Sequence, residues 1–98
     1  MTTILEQAAA IVDADREKTY GKPDKNLRTI AEFWEAWLRA RGKLAPDAFL
    51  TVDDVACMMA ALKLARLAND PKHVDSAVDA CGYLYLLDKI NRPQNQVK

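Results

Sequence analysis

Apolar residues recur three and four positions apart through most of this chain, and that period selects the α-helix. A half-buried strand needs an alternation of two, whereas a helix needs one apolar stripe per 3.6 residues. Ile4, Leu5, Ala8, Ile11 and Val12 make a first stripe, which fades near Lys18. Leu27, Ile30, Ala31, Trp34, Trp37 and Leu38 make a second. In a third segment, over about 52–67, the core face is Val55, Met58, Met59, Leu62 and Leu67. A fourth, over about 73–90, carries Val74, Val78, Cys81 and Tyr85, with Leu84 and Leu87 on the adjoining face.

The joints are marked as clearly as the helices. Thr3 and Glu6 have the spacing of a capping box, in which each side chain satisfies the other residue's free backbone N–H. Gly21 and Pro23 interrupt the chain after the first stripe, and Asp24 is positioned to cap the second helix. Gly42, just after Arg39 and Arg41, suits a helix C-terminus, and residues 43–50 form a loop broken by Pro46. Thr51 and Asp54 give another cap signal, and Asn69-Asp70-Pro71 is a tight turn. The fold class expected is all-α, a small four-helix bundle or a pair of helical hairpins. Residues 1–90 form one helical domain, and 91–98, NRPQNQVK, a flexible polar tail.

Composition narrows the function. With 98 residues, half of them hydrophobic and 29% charged, the chain can build one core of modest size. Fourteen basic side chains balance fourteen acidic ones, which argues against nucleic acid as the partner. No apolar run reaches the ~20 residues that cross a bilayer, and the N-terminus has no basic start or cleavage site of a signal peptide. The expected location is the cytoplasm of a bacterial host cell. Cys57 and Cys81 are too few and too far apart for a disulfide framework or zinc site and read as small buried hydrophobes. Two Trp and three Tyr supply large apolar surfaces, some of which suit a subunit interface, so a homo-oligomer is expected.

Two stretches concentrate chemistry. Lys63 and Arg66 share a face of the third helix, and Asp75 and Asp79 share a face of the fourth. An antiparallel hairpin about the Asn69-Asp70-Pro71 turn sets Arg66 opposite Asp75 and Lys63 opposite Asp79. The bland reading is an ion-pair ladder that fixes register; the functional reading is a polar site for a phosphate or a metal. The second stretch holds Arg16, Tyr20 and Lys22 and runs to Asn26, around the start of the second helix. Helix N-termini and arginine attract phosphate, and Tyr20 can stack on a base; the bland alternative is a solvated joint. Glu32 and Glu35 have a Glu-x-x-Glu spacing that holds divalent metal in some helices and is common on solvated faces. His73, the single histidine, reads as a surface residue.

The string Arg16-x-x-x-Tyr20-Gly21-x-Pro23-x-x-Asn26, then Trp34, Lys63-Leu64-Ala65-Arg66-Leu67 and Asp75-Ser76-x-x-Asp79-x-x-Gly82-Tyr83 resembles a small uncharacterised family of phage and prophage proteins. That resemblance implies no assigned chemistry. More distantly, the chain resembles the MazG-like all-α nucleoside triphosphate pyrophosphohydrolases, which use magnesium held by acidic pairs on neighbouring helices. This likeness implies a metal set drawn from Asp75, Asp79, Glu32 and Glu35. The departure is that Lys63 and Arg66 stand where such enzymes carry carboxylates, and two cations there displace a metal ion. The reading preferred is therefore a non-catalytic phage accessory module without cofactor. It binds a nucleotide-type phosphate through Arg16, Tyr20, Lys22, Asn26, Lys63 and Arg66, or it binds a host protein. The alternative is a Mg²⁺-dependent MazG-like pyrophosphohydrolase.

Overall fold

The computed structural model describes residues 2–16 and 23–92, with backbone alone at 14–16, 23 and 24. Helix α1 (Ile4–Ala10) passes directly into a π-helical segment (Ile11–Arg16); α2 (Pro23–Ala40), α3 (Val52–Asn69) and α4 (Val74–Asn91) follow. No strand occurs among the described residues. The all-α expectation therefore holds, with four helices at the places their stripes require.

Local chemistry explains the boundaries. Both capping boxes form: Thr3 Oγ1 accepts from Glu6 N–H at 3.0 Å while Glu6 accepts from Thr3 N–H at 2.8 Å, and Thr51 pairs with Asp54 in the same way. Helix α2 starts at Pro23, one residue before the expected cap at Asp24. Proline fits a first helical turn because its missing N–H has no helical partner there. At the other end Gly42 takes φ +71°. Lys43 N–H reaches back to Leu38 C=O at 2.8 Å, the closure that a left-handed glycine permits. The π-helical segment had no mark in the sequence, since 11–16 contains neither Gly nor Pro.

Helices α3 and α4 form an antiparallel hairpin at the centre; α1 packs on α4 and α2 packs on α3. The fully enclosed cluster is Val12, Leu27, Ala31, Val55, Ala56 and Leu86, with Trp34, Met59 and Ile90 packed against it. Ala60 and Ala80 are buried too. The thinnest dimension of the molecule is 23 Å, about two helix diameters. A body this thin cannot enclose every apolar side chain it carries.

Several apolar positions of the stripes are corrected accordingly. Leu5 (68% exposed), Trp37 (67%), Leu62 (48%) and Met58 (46%) face outward. Each lies on the flank of its apolar stripe, and the neighbouring helix covers only the middle. Val74 and Leu84 of α4 are exposed as well, and Cys57 is exposed rather than buried. Helix α4 runs to Asn91, so the expected tail loses its first residue to the helix, and 93–98 lie outside the described residues.

Candidate functional site

The hairpin register brings together one of the two expected charge pairs. Lys63 Nζ lies 3.0 Å from Asp79 Oδ2, and the two side chains are 17% and 32% exposed. Asn91 Nδ2 donates to Asp53 at 2.9 Å at the far end of the same hairpin, which confirms the antiparallel alignment. Half-buried opposite charges at this distance neutralise each other, so neither Lys63 nor Asp79 is an open binding group.

The second rung does not form. Arg66 and Asp75 are exposed, and among the described residues neither side chain has an ion-pair partner. Asp75 instead sits in the first turn of α4, and Arg66 in the last turn of α3. Each there complements the local helix dipole.

The carboxylates suggested for metal do not assemble. Glu35 Oε2 accepts from Leu50 N–H at 2.6 Å, and its other oxygen lies 3.7 Å from Arg39. Arg39 also donates to Ala48 C=O. This clasp binds the 41–51 loop to α2 and occupies Glu35 structurally. Glu32 points to solvent one turn away. Among the described residues no group of three or more His, Cys, Asp or Glu side chains could hold a metal ion.

Of the phosphate candidates, Arg16 ends the π-helical segment, Asn26 is half-buried near the start of α2, and Tyr20 and Lys22 lie outside the described residues. A crevice between α1 and α4 is lined by Ala8, Ile11, Val12, Val78, Asp79, Gly82, Tyr83 and Leu86. It has room for about one water molecule, far below the several hundred Å³ of a nucleotide pocket.

Several features were not foreseen. Asp13 accepts from Tyr85 Oη at 3.0 Å and pairs with Lys89 Nζ at 2.6 Å. This trio pins the π-helical segment to α4. The hydrogen bond to Asp13, then partial desolvation, raises the Tyr85 phenol above its ordinary value. His73 caps α4: its Nδ1 accepts from Ser76 N–H at 3.2 Å and lies 2.7 Å from the buried Ser76 hydroxyl. The expected surface histidine is thus a half-buried capping residue. Histidine is not a habitual cap, so no spacing announced it.

The most prominent open feature is apolar. Phe33 (73% exposed) and Trp37 (67%) stand one turn apart on α2, with Ala36 and Ala40 beside them. On α3, Met58 and Leu62 repeat that spacing. The sequence did show apolar residues here, but a stripe alone does not say how much of its width the chain covers itself.

Fold and surface together define a small all-α module with surplus apolar faces. The chain belongs to the family described as Domain of unknown function (DUF6378), whose profile matches residues 3–91. It is 34% identical over 94 residues to the Gene 55 protein of Mycobacterium phage L5, covering 96% of this chain and 56% of that one. It is 31% identical over 88 residues to the Gene 55 protein of Mycobacterium phage D29, covering 90% and 53%. The chain thus spans about half the length of these curated relatives. No solved structure matches it. The likeness to a phage helical family is borne out; neither the family description nor the relatives' names point to a MazG-like hydrolase. No helix among the described residues is long and apolar enough to cross a membrane.

Proposed function

We propose that this chain is a non-catalytic phage accessory module that docks on a host protein through the outer face of α2. The observation that carries this reading is the exposure of Phe33 and Trp37 on one flank of a well-capped helix. Aromatic side chains dominate protein interfaces because each buries ~150–250 Å² at little cost in side-chain entropy. Leaving two of them in water is unfavourable unless a partner covers them.

The same geometry weighs against the other readings. A nucleotide module would need Lys63 free, yet Lys63 is engaged by Asp79. It keeps Arg66 as an open cation and the Arg16–Asn26 stretch as a possible anchor. A MazG-like hydrolase would need Asp79 free together with at least two further carboxylates. Tyr20, Lys22 and any magnesium belong to those readings.

Photo-crosslinking tests the proposal. A photoreactive phenylalanine at position 33, expressed in host cells, is expected to give a discrete host-protein adduct that Trp37→Glu removes. The same probe at the solvent-facing position 25 should give none. Equal labelling from both positions would sink the reading. Calorimetry with a nucleotide panel, with and without Mg²⁺, is expected to show no heat and no released pyrophosphate. Binding lost in Arg66→Ala would move the assignment to a nucleotide module, and released pyrophosphate would move it to the hydrolase.

A further inference from the structure

Helix α3 carries a second surface, independent of the α2 face, with a self-complementary order of charges. Asp54, Met58, Leu62 and Arg66 are spaced by four, so they form one continuous ridge slanting along the helix. All four are exposed. The order is acid, apolar, apolar, base. Among the described residues Arg66 has no ion-pair partner, and Asp54 spends one oxygen on the Thr51 N–H. Ala61 and Ala65, also exposed, leave a shallow groove along one side of the ridge.

We infer that a second copy of this chain covers this face, α3 against α3, antiparallel across a two-fold axis. Two such ridges laid in opposite directions set Asp54 against Arg66 of the partner subunit and Met58 against the partner's Leu62. The two-fold axis repeats both contacts. Ridges spaced by four interdigitate at a crossing of about −50°, the commonest helix packing, and the alanines admit the opposing ridge. An unrelated host protein has no reason to match this order of charges, whereas a second copy matches it by symmetry. Exposed ion pairs contribute little affinity. Their role is to set direction and register, while Met58 and Leu62 supply the burial. One helix crossing covers less than the ~800 Å² per partner of a standard interface, so the dimer dissociates at concentrations on the order of micromolar.

The test is sedimentation equilibrium on the whole chain, with far-UV circular dichroism as the check on folding. The wild type is expected to pass from monomer to dimer between about 1 and 100 µM. Leu62→Glu should stay monomeric with an unchanged spectrum. Asp54→Lys sets Lys against Arg, and Arg66→Asp sets Asp against Asp, so each alone should dimerise at least ~10-fold more weakly. Mixed in equal amounts, the two variants should form a heterodimer, because both of its rungs then join opposite charges. If Asp54→Lys loses its cap and its fold, Asp54→Asn keeps an acceptor for Thr51. Combined with Arg66→Asp in one chain, it should recover part of the lost association. A wild type monomeric throughout this range would overturn the inference. So would charge variants that dimerise like the wild type, or a mixture no better than its components.

Discussion

The two faces of α3 are built from opposite kinds of apolar residue. Its inner face buries Val55, Ala56 and Ala60, while its outer face exposes Met58, Leu62 and Leu64. In a monomer optimised only for its own stability the large side chains would lie inside. Here small ones do: Ala56 and Ala60 of α3 are buried, as is Ala80 of α4. The core is thin and tight, and the greater apolar bulk is left facing outward. Self-packing sets the inner face; association is the physical reason to keep the outer one.

The inner face should be the easier to break. Ala60→Leu adds three carbons at a buried position of α3 and is expected to cost about 2–3 kcal/mol in urea unfolding, through forced rotamers and displaced neighbours. A loss under ~0.5 kcal/mol would mean the hairpin is looser than described. Lys63→Ala leaves the Asp79 carboxylate half-buried without its partner. A cost of about 1–2 kcal/mol lies between that of a surface pair and that of a buried one. The Lys63→Ala/Asp79→Asn double variant should lose less than the two single variants summed.

Gly82 sharpens the comparison in the opposite direction. A methyl group there would meet Val12 Cγ2 at 3.7 Å and Ala8 Cβ at 4.0 Å, ordinary contact distances. Gly82→Ala should therefore stabilise α4 by about 0.5–1 kcal/mol, seen as a raised unfolding midpoint. On the outer face, Leu62→Gln should leave monomer stability within ~0.5 kcal/mol when measured below the dimer's dissociation range.

The smallest effect concerns Tyr85. Its phenol is raised, so its contact with Asp13 contributes fully below the unfolded value of about 10 and fades as pH rises through the higher folded value. Tyrosinate absorbance should show one late-titrating tyrosine, and Asp13→Asn should return it to the ordinary range.

Much of this was legible beforehand. The capping boxes at Thr3 and Thr51 and the glycine at 42 act through neighbours a few residues away, so local sequence carries them in full. The Lys63–Asp79 pair was legible because one short turn sets the hairpin register. Arg66–Asp75 did not form: both side chains stay in solvent at the helix ends, which a count of spacings does not include. The Asp13–Tyr85–Lys89 trio joins residues more than seventy positions apart, and no local pattern announces such a contact. Glu35 looked like half of a metal pair because its spacing was read along α2 alone. Its partner, the Leu50 N–H, comes from the loop that returns beside it.

By itself the sequence determined four helical segments, the caps at Thr3, Thr51 and Gly42, the turn between α3 and α4 and, among the described residues, the absence of strands. All of these follow from periodicity and capping, which operate within a few residues. Only the tertiary structure decided which flank of each stripe is covered. That choice separates core from surface at Trp37, Met58 and Leu62, and it depends on how closely neighbouring helices approach. The body is about two helices thick, too thin to enclose both flanks of every stripe.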